Sequence, residues 1–318
     1  MQWSLVGSEM CIRDREERFT RKKHDARFPA NAIDFVLSNS KIGINDVDFI
    51  ALYDKPFLKF ERLLETYVNT APLGFRAFSL AMPIWLKEKL FQKQMVLKEL
   101  RQFDFKPCDN ILFAEHHLSH ASSAFYPSPF EKAVVVTLDG VGEWATTTVS
   151  VGKGRHLTIE KEIHFPHSLG LLYSAFTYYV GFRVNSGEYK LMGLAPYGEP
   201  KYKELILERI VDVKQDGSFR LDMSYFNYMS GLTMTNSRFD RLFNRPVRIP
   251  DGEELTQFHM DVAASIQAVI EEIVLKMTAY LAHEYDIENL CLAGGVALNC
   301  VANGKILRDN QFKNIWIQ

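Results

Sequence analysis

The 318 residues are 47% hydrophobic and 24% charged, enough apolar material for two lobes with a sizeable core. A formal net charge of −2 supplies no broad positive field, which excludes a dedicated polyanion binder and leaves no nucleic-acid partner expected. The four cysteines (Cys11, Cys108, Cys291, Cys300) form neither a CxxC pair nor a disulfide framework, as expected of reduced thiols in a cytoplasmic protein, and no apolar run reaches the roughly 20 residues a membrane span needs.

The first fifteen residues, MQWSLVGSEMCIRDR, show neither periodicity nor turn chemistry nor the layout of a secretion signal, and read as a non-native adapter scar. The native-looking chain then starts near Glu16 with EERFTRKKHDARFP, whose plain reading is a solvated, charged strand end. PANAIDFVLSNS has Pro29 near a helix start and apolar residues at Ala32, Ile33, Val36 and Leu37, one buried helical face. DVDFIALYD is a short strand, and the Leu-, Phe- and Lys-rich stretch 57–103, broken by TAPLG and MP, is expected to be an insertion of several helices.

NILFAEHH runs from strand into helix start, and KAVVVTLDG with ATTTVSVGKG makes two strands across a glycine-containing turn. SLGLLYSAFTYYVGF is a buried helix, SGEYKLMGLAPYG a loop held by three glycines and a proline, and 200–256 a polar hairpin or loop region. Val262, Ile266, Ile270, Ile273 and Met277 predict a long helix from Thr256 to Tyr285 packed on a sheet. NLCLAGGVALN reads as strand, Gly-Gly turn and helix start, and FKNIWIQ as a last strand, so the pattern is that of a two-lobed α/β protein.

Chemistry concentrates in a few places. His116 and His120 in EHHLSHASSAF are four apart, so a helix brings both imidazoles to one face within reach of one ion. Two polar residues on a wet helix face would share that spacing, and the HExxH of zinc proteases is absent. Asp139 ends VVVTLD, where strand-end side chains of α/β folds face the ligand crevice; it also suits an ordinary Asp-Gly turn. Two imidazoles and a carboxylate favour iron, manganese or zinc over magnesium.

Gly140 and Gly142 in DGVGEW, and Gly294 and Gly295 leading into Asn299 in LAGGVALN, could bring backbone amides to a phosphate, although tight turns use the same residues. Glu188 and Lys190 could meet a charged ligand or each other. Lys23 and His24 are the opening motif's candidate donors to phosphate or carbamoyl oxygens.

Taken in order, EERFTRKKHDARFP, HHLSHASSAFYPSPF, TLDGVGEWATT, GEYKLMGLAPYG and LAGGVALNCVANGKIL resemble the O-carbamoyltransferases of the nodulation-protein and cephamycin type, with the antibiotic enzymes acting on aminoglycosides and aminocoumarins. The resemblance runs from about Glu16 to Gln318. It implies a two-lobed actin- and sugar-kinase-like fold related to the tRNA threonylcarbamoyl-transferases. It further implies that carbamoyl phosphate and ATP give carbamoyl-adenylate in a separate C-terminal YrdC-like domain, and that the carbamoyl group then passes to a hydroxyl of a small-molecule or sugar acceptor.

Transfer is implied at a mononuclear divalent metal, usually iron, whose ligands match His116, His120 and Asp139, while Lys23 matches an active-site lysine. Either His24 or His117 could take the acceptor's proton. The family's first His-Asp-Ala-Ser-like strand, its last ligand aspartate and the YrdC-like domain are missing here, so residues 16–318 are expected to be a partial transferase domain, inactive or partly active by itself. The alternatives are a tRNA threonylcarbamoyl-transferase relative and a non-catalytic nucleotide-binding module.

Overall fold

A computed structural model describes residues 16–22, 25, 27–86, 91–106, 111–250 and 252–318. The chain divides into two compact units, one made of residues up to Pro56 with Met82–Ala114, the other of Phe57–Ala81 with Glu115–Gln318.

The first unit opens with α1 (Glu16–Thr20), a helical turn where a strand end was expected. Its buried Glu16 explains the difference. The carboxylate accepts the Ala32 N–H at 3.1 Å and the Asn31 side-chain amide at 2.6 Å, closing the start of α2 (Ala30–Ser40), where Pro29 offers no cap of its own. β1 (Ile50–Leu52) leads to α3 (Pro56–Thr70) and α4 (Phe75–Ile84), the chain returns through α5 (Gln92–Leu100), and β2 (Ile111–Phe113) pairs in parallel with β1. The expected series of helices between 57 and 103 is therefore present. Ile33, Leu52, Val96, Leu100, Phe105 and Ile111 close a small core of this unit's own.

The second unit is built on one sheet. α6 (His116–Phe125) precedes β3 (Lys132–Leu138), which turns back antiparallel into β4 (Ala145–Lys153) and then β5 (His156–His164). β5 was not expected from the sequence. It is the sheet's edge, with several exposed charged positions, and so lacks the apolar run that marks a central strand.

α7 (Leu169–Tyr179) and α8 (Glu188–Leu194) follow, then α9 (Lys203–Arg209), the hairpin of β6 (Val211–Val213) and β7 (Phe219–Leu221), and α10 (Ser237–Leu242). The region 200–256 thus contains the expected hairpin, and also two short helices that bury Ile206 and Phe239 completely. Where a glycine-held loop was expected, α8 forms because Leu191 and Leu194 bury against the core. α11 (Gln257–Tyr285) runs the predicted length, and β8 (Asn289–Ala293), α12 (Cys300–Asp309) and β9 (Asn314–Ile317) complete the order β5-β4-β3-β8-β9, with β3, β8 and β9 parallel. This is an α/β fold, as the alternation of strand and helix signals predicted.

β3 divides its side chains strictly by parity. Val134, Val136 and Leu138 enter the main core with α7 and α11, while Ala133 and Val135 pack with Ala121, Ala124 and Phe125 of α6 on the opposite face. A Cβ on Gly152 of β4 would lie 2.6 Å from the Phe125 ring, so that glycine lets α6 settle on the sheet. No described helix is long and apolar enough to cross a membrane.

Candidate metal centre

The helix α6 starts at His116, and its stripe of His117, Ala121, Ala124 and Phe125 is buried on the sheet. That orientation turns His116 and His120 toward the carboxyl end of β3, where Asp139 begins the loop to β4. His116 Nε2 lies 2.8 Å from Asp139 Oδ2, and His120 Nε2 lies 3.4 Å from the same oxygen. The two imidazoles meet edge to face with ring centres 4.7 Å apart. One donor atom from each of the three residues falls within 4.8 Å of the others. Donors bound to one ion at about 2.0–2.2 Å lie roughly 3–4 Å apart, a spacing the trio could reach by small side-chain adjustments, which makes it a candidate to hold a single first-row cation. Burial alone would raise the Asp139 carboxyl, but the hydrogen bonds from His116 and His120 outweigh it and hold the group well below the usual carboxylate range.

The other Asp139 oxygen is fixed from across the sheet. Gly295 N–H donates to Oδ1 at 3.1 Å. Gly294 makes this approach possible, with φ of +94° and an absent Cβ that would sit 2.3 Å from the Leu138 carbonyl oxygen. Of the two glycines expected to cradle a phosphate, Gly295 thus holds the Asp139 carboxylate through its amide. Gly142 is likewise a packing glycine, since a Cβ there would lie 2.8 Å from His117 Cδ2 and 3.0 Å from His116 Cβ. Gly140 is different. A Cβ there would meet nothing within 4 Å, which leaves open space beside Asp139.

Three further candidates already have partners within the chain. His117 is 3% exposed and its Nδ1 lies 2.6 Å from Thr137 Oγ1, which in turn meets Thr148 Oγ1 at 2.6 Å. Burial, with His116 next, lowers this imidazole to about 3, and its contact with Thr137 anchors α6 to the sheet. Glu188 spends its carboxylate on the Asn185 and Gly187 amides and the Ser174 hydroxyl, and no ion pair joins it to Lys190, whose ammonium end is exposed. Asn299 caps α12 by accepting the Ala302 N–H, and its amide exchanges a pair of hydrogen bonds with Gln267. Lys23 and His24 lie outside the described residues.

Other residues shape the site without having drawn notice in the sequence. The Glu143 carboxylate accepts the His116 N–H at 3.0 and 3.3 Å. Arg62 donates to the Gly142 carbonyl at 2.7 Å and lies over the Phe165 ring at 5.3 Å. Ser168 caps α7 and donates to the Asp139 and Gly140 carbonyls at 3.0 and 2.6 Å. Only the last carries a readable signal, a serine just ahead of a helical run.

An uncharacterized Synechocystis protein, sll1178, is 60% identical over 306 residues, which is 95% of this chain and 50% of that one. Nodulation protein NolNO of Sinorhizobium fredii is 32% identical over 98% of this chain and 43% of its own. The chain thus spans half or less of the length of these relatives. Among solved structures, T. kodakarensis HypF overlaps 71% of this chain and 35% of its own at 13% identity and a TM-score of 0.34, too loose a likeness to argue from. The model of the carbamoyltransferase N-terminus matches residues 8–318, and the chain belongs to that family.

Proposed function

We propose that this chain moves a carbamoyl group from carbamoyl-adenylate, made from carbamoyl phosphate and ATP, to a hydroxyl of a small-molecule or sugar acceptor, with a divalent metal, iron foremost, held by His116, His120 and Asp139. The observation that carries this reading is the convergence of two imidazoles and one carboxylate within 4.8 Å in a chain of the carbamoyltransferase family. A bound cation supplies Lewis acidity toward a carbonyl or phosphoryl oxygen.

The acceptor oxygen attacks the carbamoyl carbon, the bond from that carbon to the phosphate oxygen breaks, and AMP leaves with the electron pair. The hydroxyl proton passes to a base. His117 is too deeply buried to take it, which leaves His24, with Lys23 beside it in sequence, as the proposed proton and phosphate partners. In this reading the ligand lies on the open side of Gly140 next to Asp139, with the exposed Lys190 a candidate partner for an anion.

The test is metal titration of the full chain by calorimetry, followed by single-turnover transfer from synthetic carbamoyl-adenylate to a hydroxyl acceptor. Wild type should bind one Fe²⁺ or Co²⁺, and His116→Ala, His120→Ala and Asp139→Asn should each weaken binding by at least about 100-fold, because a site of three protein donors loses one of them. Equal binding by wild type and all three variants would overturn the reading.

A further inference from the structure

We infer that Glu143 is a positioning residue of this centre, tying the helix that carries both imidazoles to the loop that carries the carboxylate; the inference rests on the metal reading above.

His116 is the first residue of α6, where amides have no partner inside the helix. The residue at its cap, Glu115, makes no side-chain capping bond. The cap comes instead from Glu143, 27 residues along the chain, buried to 7% exposure, with both carboxylate oxygens on the His116 N–H. Its negative charge also stands at the positive end of the helix.

Asp139 and Glu143 are the two ends of one five-residue loop segment whose interior is pinned. Gly142 N–H donates to the Ala145 carbonyl at 2.9 Å, Gly142 packs on His116 Cβ, and Arg62 holds the Gly142 carbonyl. The loop therefore grips α6 twice, through Asp139 on the imidazoles and through Glu143 on the backbone of the first of them. His120 sits a full turn inside the helix and His117 is anchored by Thr137, so neither depends on this cap. His116 does. Fraying of the first turn swings its ring away from the Asp139 oxygen it meets at 2.8 Å.

Cobalt(II) titration of the full chain, read by calorimetry and visible absorption, tests this together with exchange of the His116 amide and melting in chelator. Glu143→Ala should weaken Co²⁺ binding by about 10- to 100-fold, alter the absorption bands and speed exchange of the His116 amide. Glu143→Asp keeps the charge but is one methylene short, and should behave in the same way. Glu143→Gln, whose amide oxygen can still accept the N–H, should stay within about threefold of wild type. In a His116→Ala background, Glu143→Ala should cost almost nothing more.

A lower melting temperature with unchanged Co²⁺ affinity and bands in both Glu143→Ala and Glu143→Asp would overturn the inference. So would Glu143→Gln binding as weakly as Glu143→Ala, since charge and not the backbone contact would then govern affinity. A wild type that binds no Co²⁺ sinks the metal reading first. The positioning of α6 by Glu143 is then decided by His116 amide exchange alone, and exchange no faster in Glu143→Ala than in wild type would refute it.

Discussion

Three histidines share five positions, and helical geometry assigns them to different tasks. His116 and His120 project toward Asp139, while His117, rotated by about 100° per residue, falls on the stripe that packs against the sheet. A buried imidazole needs a partner, and Thr137 provides it because odd-numbered residues of β3 face α6. Thr137→Val removes that hydroxyl without opening a cavity and leaves His117 and Thr148 each short of a bond. It should lower stability by about 1–3 kcal/mol, measured as a shift of the urea midpoint at constant slope. An unchanged midpoint would show that Thr137 is dispensable to the anchoring. The metal-site pair HxxxH could be seen in the sequence, since spacing alone puts both residues on one face. The fate of His117 could not, since it depends on which parity of a distant strand points at the helix.

Among the elements, α11 illustrates how far periodicity reaches. All five apolar positions expected along it are buried. Its first turn holds a pH-sensitive contact that spacing does not announce: the Thr256 N–H donates to His259 Nδ1 at 3.0 Å. Burial, with Arg245 and Arg248 nearby, lowers the His259 pKa and so favours the neutral ring that accepts this bond. Below the ordinary imidazole value of about 6.5, the unfolded chain takes the proton first. The contribution of this group is therefore complete above about 6.5 and is lost as pH falls through the window down to the depressed native value. His259→Gln, which keeps a neutral acceptor, should flatten that part of a stability–pH profile, by no more than a cap is worth, about 0.5–2 kcal/mol. Parallel profiles for wild type and variant would refute the assignment. α8 shows the opposite limit. Three glycines and a proline argued for a loop, yet only Gly193 lies inside α8, and burial of Leu191 and Leu194 outweighs its helix penalty of about 1 kcal/mol.

For the whole molecule, the two units differ in what holds them. The first relies on a two-stranded parallel sheet and a small cluster around Leu100 and Ile111. The second has a five-stranded sheet covered on both faces, with α7 and α11 on one side and α6 on the other. Amide exchange should accordingly be slowest in β3, β4, β8 and α11 and faster in β1, β2 and α2, resolved by peptide-level mass spectrometry. Uniform protection across both units would contradict this division. Most helix and strand placement, the apolar face of α11, the histidine pair and the strand-end aspartate were written in local pattern, because periodicity and chain direction are properties of short segments, whereas α1, β5 and α8 were not. What makes them a site was decided only by folding. The glycine pair in LAGGVALN reads as a phosphate cradle until β8 lies beside β3 and the Gly295 amide meets Asp139, and Glu143 reads as one more loop acid until it reaches the first amide of α6. Those contacts join residues 27 and 156 positions apart, and hydrogen bonds at such separation depend on strand order and helix docking, which no local spacing encodes.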